Sequence, residues 1–383
     1  VSSLFFDNAS AQSGRREALR LMIAIAAALV IGFCITLMVS DEPVRAYLAL
    51  LTGALPEFEW SQAHGWQVHR LVRFGSVIED AITLSFLGLA ILIPFRARQF
   101  SLGADGQMFL SALAAAAISL WIDGPWFIVL PAAALAALSI GFVWGLIPGL
   151  LKARFGANEI VTTLMLNLIA VQIYRLIITE VLRDPHAGMI ATPVLPDAAL
   201  MPILMDRTNV SVMLFAVPIA AFAAWLFLMR TTWGYEIRVV GQAPEFARQT
   251  GMPVTRAMIL SMAMGGLFAA LAGLHISNAL LKRLPVDLTP GIGFDGLVVA
   301  LLARNDPKNV PVTACLYAYL RVGAQAMERT ADVSREIVLV IQAFIILFVV
   351  AEGMFSGRYP KLFADMWQRR RHRASSDVME AKP

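Results

Sequence analysis

Apolar residues in this chain come in runs of roughly 18 to 25 separated by short polar clusters, and a helix of that length matches the ~30 Å hydrocarbon core of a bilayer. The runs are Leu19 to Ser40, Ser76 to Phe95, Gly106 to Ile122, Trp126 to Leu150, Asn158 to Thr179, Val210 to Met229, Ala257 to Ala279, Gly291 to Ala303, Val310 to Gln325 and Glu336 to Met354. The pattern predicts an all-α, polytopic integral membrane protein of about ten transmembrane helices. Residues 1–18 and 355–383 read as tails around one transmembrane domain over 19–354.

Composition agrees: 58% of the 383 residues are hydrophobic and 15% charged, against about 25% charged in soluble domains. Cys34 and Cys315 lie inside apolar runs and read as small buried hydrophobes. The first run follows Arg15, Arg16 and Arg20 but is long for a signal core and lacks a small-x-small cleavage pattern, so it reads as an uncleaved span.

Basic residues set the orientation. With the amino terminus inside, the inner side receives Arg15, Arg16, Arg20, Arg96, Arg98, Lys152, Arg154, Arg230, Arg238, Arg248, Arg256, Arg304, Lys308 and the seven basic residues of the tail, most of the 31 in the chain. Both termini are therefore expected in the cytoplasm. The Arg369-Arg370-Arg371 cluster suits anionic headgroups, and no nucleic-acid polymer is expected as a partner. Two outer segments are long: Asp41 to Gly75, where Val44 to Leu55 with Trp60, Trp66 and His69 suits an interfacial helix, and Glu180 to Asn209, a proline-rich external loop. Gln325 to Arg335 is a brief charged outer connection.

Leu102-Gly103-Ala104-Asp105-Gly106 and Ile292-Gly293-Phe294-Asp295-Gly296 echo one another five spans apart. An odd offset inverts the second copy relative to the first, as in transporters built from inverted repeats; the alternative is two unrelated glycine turns opening helices. Gly141, Gly145 and Gly149, like Gly265, Ala269 and Gly273, form flat faces for close helix packing. Pro94, Pro131, Pro148 and Pro218 are expected to break or bend their helices.

The chemistry is that of passage rather than catalysis. The sequence has no G-x-x-x-x-G-K-[ST] phosphate loop, no H-E-x-x-H pair and no G-x-S-x-G nucleophile turn. No catalytic residue, metal site or cofactor is expected in the chain. Asn158, Glu159, Thr163 and Asn167 share one face of the fifth span and are candidates, with Asp105 and Asp295, to line a polar path; interhelical hydrogen bonding is the other reading. Within the inner connection 230–256, Pro244 and Gly251 bracket a two-turn helix outside the membrane, a handle for a soluble partner.

Together, Gly103-Ala104-Asp105-Gly106-Gln107, Gly156-Ala157-Asn158-Glu159, Thr163-Leu164-Met165-Leu166-Asn167, Gly241 through Gly251 and Gly293-Phe294-Asp295-Gly296 resemble the permease subunits of ABC importers of the branched-chain amino-acid, simple-sugar and nucleoside type. The second string resembles the nucleoside and simple-sugar branch. The resemblance covers residues 76–354 and implies a fold similar to the cobalamin-type importer permeases. It further implies a second permease subunit, cytoplasmic ATPase subunits that use the ATP, and an external or periplasmic substrate-binding protein. Gly241, Pro244, Glu245, Ala247, Arg248 and Gly251 would then form the segment that couples to the ATPase. The chain departs from the family at Phe246, where a small residue is common, and at Ser101-Leu102, where Asn-Ile is frequent. The expected function is translocation of a nucleoside or simple sugar across the bacterial inner membrane by alternating access. The rival is an ion-coupled secondary transporter using Glu159, Asp105 or Asp295.

Overall fold

The structure is a computed structural model that describes residues 30–347, apart from 35, 38–41, 62–64, 70, 206, 289–290, 331–332, 335, 342 and 345–346. The 1–18 and 355–383 tails, most of the span Leu19 to Ser40 and much of Glu336 to Met354 lie outside the described residues. The helices are α1 (Pro43–Thr52), α2 (Leu71–Arg96), α3 (Ala104–Trp121), α4 (Trp126–Phe155), α5 (Glu159–Glu180), α6 (Met213–Arg230), α7 (Thr232–Gln242), α8 (Pro244–Gln249), α9 (Val254–His275), α10 (Ile292–Leu302) and α11 (Val310–Thr330). Five segments among the described residues are long and apolar enough to cross a membrane: α2, α4, α5, α6 and Val254–Leu281; α10 is a shorter apolar helix.

The chain divides into two compact units, residues 51–323 and residues 1–50 with 324–383. In the smaller, Phe33 meets Tyr47 edge to face with ring centroids 5.3 Å apart. In the larger, α9 is the central element and packs against α4, α2 and α3. Its small residues make this possible. A Cβ on Gly266 would stand 2.0 Å from the Gly141 carbonyl oxygen, and one on Gly141 would stand 2.5 Å from that of Gly266, so the α4 and α9 backbones touch directly. The outward side chains of α4 and α6, among them Leu135, Val143, Ile219 and Phe222, are apolar and exposed, as a lipid-facing surface requires.

Local chemistry sets the helix boundaries. Gly156, at φ +66°, ends α4 in the left-handed conformation, and Asn158 then caps α5 by accepting from the N–H groups of Ile160 and Val161. Pro94, Pro131, Pro148 and Pro218 were expected to break or bend helices; each sits inside a helix that continues through it. The interfacial helix expected beyond residue 44 stops at Thr52. Glu57–Ser61 and Gly65–His69 instead pair as an antiparallel hairpin, β1 and β2, with Trp60 opposite Trp66. Phe58, Trp60, Trp66 and Val68 alternate with polar residues, the period of a strand rather than a helix. The helix expected to end at Gln325 runs to Thr330, through the good helix formers Ala326, Met327, Glu328 and Arg329.

Past His275, α9 widens into a π-helical turn, Ile276–Leu281, closed by Lys282 at φ +58°. Asn278 in that turn donates to Ser119 Oγ and to the Ala199 carbonyl, both at 2.9 Å, while its own carbonyl accepts from Met201 N–H. The Tyr174 hydroxyl donates to the Pro285 carbonyl at 2.8 Å. These bonds bind the segment after α5 to the end of the central helix.

Candidate functional site

The residues singled out in the sequence fall in two places. The first is the helical hairpin between α6 and α9. Thr231 caps α7 by accepting from Gly234 N–H at 3.0 Å, Pro244 opens α8, and Gly251 at φ +75° closes the turn beyond it. The expected short helix between Pro244 and Gly251 is present as six residues. Ala247 is fully buried and seats it, leaving Glu245, Phe246 and Arg248 exposed; the Glu245 and Arg248 side chains are 3.4 Å apart. Gly241 is not on the outward surface. A Cβ there would stand 1.9 Å from the Arg96 carbonyl oxygen, so α7 rests on the end of α2. The Arg96 guanidinium in turn donates to the Asn305 carbonyl at 2.9 and 2.6 Å. The hairpin thus rests, through α7, on the end of α2, which is in turn hydrogen-bonded to the segment after α10.

The second feature is a buried polar seam. Asn167 accepts from Gly106 N–H at 2.9 Å and donates to the Leu102 carbonyl at 2.6 Å. Thr163 accepts from Leu102 N–H at 3.2 Å and donates to the Glu159 carbonyl at 2.7 Å. The α5 face therefore clips the turn that opens α3. Asp105, the next residue in that turn, accepts from Gly291 and Gly293 N–H, joining the two echoing strings at one junction. Asp295 accepts from the Tyr317 hydroxyl at 2.5 Å and pairs with Arg321 at 3.2 Å, and Arg321 stands 3.8 Å from Asp80 on α2. The Asn158 and Glu159 side chains have other partners: Asn158 caps α5, and the Glu159 carboxylate pairs with Lys152 at 2.6 Å across the break between α4 and α5.

The structure thus brings Asp105, Thr163 and Asn167 together and adds Asp80, Tyr317 and Arg321, which the sequence pattern did not single out. The available signal was the presence of ionisable residues within the runs Ser76 to Phe95 and Val310 to Gln325.

A family model described as branched-chain amino acid transport system / permease component matches residues 74–350. The guanosine ABC transporter permease protein NupP of Bacillus subtilis is 32% identical over 86% of this chain and 92% of its own length. The glucose ABC transporter permease protein TsgB13 of Haloferax volcanii is 30% identical over 87% of each chain. The nucleoside ABC transporter permease protein NupB of Lactococcus lactis is 27% identical over 90% of this chain and 94% of its own length. With apolar helices long enough to span a bilayer and a match over most of its length, the chain is an integral membrane protein that belongs to this family of ABC transporter permeases.

Proposed function

We propose that the chain is the permease subunit of an ATP-binding-cassette importer and forms the translocation path for a nucleoside or simple sugar. The observation that carries the reading is the bounded helix Pro244–Gln249, seated by Ala247 and presenting Glu245, Phe246 and Arg248, in a chain related to guanosine, glucose and nucleoside permeases. Separate cytoplasmic ATPases dock on this helix, and their ATP-driven closure is transmitted through the Gly241 contact with α2. The permease needs only different contacts with solute in its outward-open and inward-open states for alternating access to follow.

In this reading the chain has about ten spans arranged as an inverted repeat, lies in the cytoplasmic (inner) membrane with both termini inside, and pairs with a second permease subunit. An external binding protein delivers the solute. Asn158, Glu159, Thr163 and Asn167, with Asp105 and Asp295, border the path. Uptake into sealed vesicles tests it: the importer requires ATP and a copurifying ATPase. Uptake that follows an ion gradient without ATP would establish a secondary carrier instead.

A further inference from the structure

The lipid-facing side of α6 ends at two converging cations. Ile219, Phe222 and Leu226 are exposed apolar residues along its outward face. With 18 residues the helix is about 27 Å long, close to the hydrocarbon core of a bilayer, so Arg230, its last residue, lies at the bilayer boundary. Trp225, half-buried, stands about 7.5 Å inside that end, in the interfacial zone where tryptophan collects. Its ring packs on that of Phe222, with centroids 5.7 Å apart.

Both cations address this one ring. The Lys308 ammonium, from the connection between α10 and α11, lies 4.2 Å from the ring centroid, and the Arg230 guanidinium carbon lies 5.8 Å from it. The two charges therefore stand at most about 10 Å apart, within roughly one Debye length, and repel each other. Both residues are exposed, and among the described residues neither has a carboxylate as an ion-pair partner. Asp306, the acidic residue of the same connection, is engaged elsewhere. It accepts the Lys308 backbone N–H at 3.1 Å, and its charge acts on the Arg96 guanidinium.

We propose that Trp225, Arg230 and Lys308 seat the headgroup of an anionic phospholipid, its phosphate between the two cations and its acyl chains along the Ile219, Phe222 and Leu226 face of α6. A net negative headgroup relieves the repulsion between the cations, whereas a zwitterionic one brings its own positive charge. The apolar face that runs into the cluster selects a lipid over a free anion. The seated lipid joins α6 to the α10–α11 connection, whose Asn305 carbonyl accepts from Arg96 at the end of α2, and so braces three segments at one end of the bundle. The seat requires that the chain span a bilayer and is independent of which solute it carries.

The test adds lipid to the whole chain in an uncharged detergent and follows its melting midpoint. Dioleoylphosphatidylglycerol raises the midpoint of the parent, whereas dioleoylphosphatidylcholine and inorganic phosphate at the same concentration raise it much less. Arg230→Gln and Lys308→Gln each increase the phosphatidylglycerol concentration needed for half of the shift about fivefold, the worth of one basic residue at an anionic surface. Trp225→Leu keeps both charges but removes their platform and weakens binding by a smaller factor, and Trp225→Phe restores part of it. Arg154→Gln, which removes an exposed cation from the last turn of α4, leaves the half-shift concentration unchanged within about twofold. Lys308 lies in an exposed connection, so its variant still reports if the α6 variants fail to fold. Equal shifts with the two lipids, or an unchanged half-shift concentration in Lys308→Gln, overturn the seat. An equal loss in Arg154→Gln overturns it in favour of diffuse attraction, and a full shift with inorganic phosphate in favour of a free-anion site. Lost association with an ATPase in Lys308→Gln at unchanged lipid affinity assigns the cations to that partner instead.

Discussion

The Asp105 carboxylate accepts the backbone N–H of Gly293 at 2.7 Å, so a side chain in the first turn of α3 closes the first turn of α10. A second bond, from Gly291 N–H at 3.1 Å, uses its other oxygen. The contact needs a glycine, because a Cβ at Gly293 would stand 2.9 Å from the Asp105 backbone nitrogen. Two helix starts, each with unsatisfied N–H groups, are thereby held against one negative charge.

Asp105→Ala strands one buried and one half-buried donor, the N–H groups of Gly293 and Gly291, and is expected to cost about 1–3 kcal/mol. Asp105→Asn keeps one acceptor oxygen and costs less. The melting midpoint of the purified protein in detergent checks both, and an Asp105→Ala variant as stable as the parent would show that the junction is not structural.

Asn167 combines two roles that a single substitution cannot separate. Its amide both accepts from Gly106 and donates to Leu102, so Asn167→Leu leaves two backbone groups unpaired and should destabilise the protein by about 1–3 kcal/mol. Uptake is expected to fall as well, and it should be measured per assembled complex. Asn167→Asp, which keeps the acceptor for Gly106, should recover part of the stability; a stable Asn167→Leu protein with normal flux would remove Asn167 from the path.

At α8 the expectation is the reverse. Glu245 and Arg248 are exposed and pair only with each other among the described residues, an arrangement that contributes little to folding. Reversing either charge, Glu245→Lys or Arg248→Glu, should leave the melting midpoint of the isolated permease unchanged and reduce ATPase association about tenfold, or ~1.4 kcal/mol. Gly241→Ala should instead damage the permease itself, since its Cβ would collide with the Arg96 carbonyl. Copurification with the ATPase and melting of the permease alone separate the two classes; intact association in both charge reversals would place the docking surface elsewhere.

Much of this was legible in the sequence, for identifiable reasons. Apolar runs located α2 through α6 to within five residues at each end, because a bilayer leaves a helix as the solution for a run of that length. Pro244 and Gly251 bracketed α8 because each enforces a local backbone angle. The hairpin at Trp60 and Trp66 was missed because its period-2 pattern was read for its aromatic content. Asp80, Tyr317 and Arg321 were missed for a different reason. The meaning of each depends on helix rotation and on partners in other helices, for Asp80 and Arg321 more than 200 residues apart, which no local pattern encodes. Asn167 was singled out as a polar residue within an apolar run, but its two backbone partners on the α3 turn depend on helix rotation and could not be read from the sequence.

Glu159 offers the cleaner test of a path along α5. Its ion pair with Lys152 is close, at 2.6 Å, yet both side chains retain access to solvent, 17% for Glu159 and 24% for Lys152. Glu159→Gln keeps a side-chain acceptor for Lys152, so it should shift the melting midpoint less than Asn167→Leu, with uptake measured per assembled complex. Loss of uptake in that variant therefore reports on passage rather than on folding. The expected result is slower ATP-dependent uptake in Glu159→Gln with a much smaller effect in Lys152→Met, since the carboxylate, not its partner, would face the solute. Equal effects in the two variants would mean that the pair acts only as a clasp between α4 and α5. Complete loss of uptake in Glu159→Gln together with dependence on an ion gradient in the parent would make Glu159 the ion site of a secondary carrier.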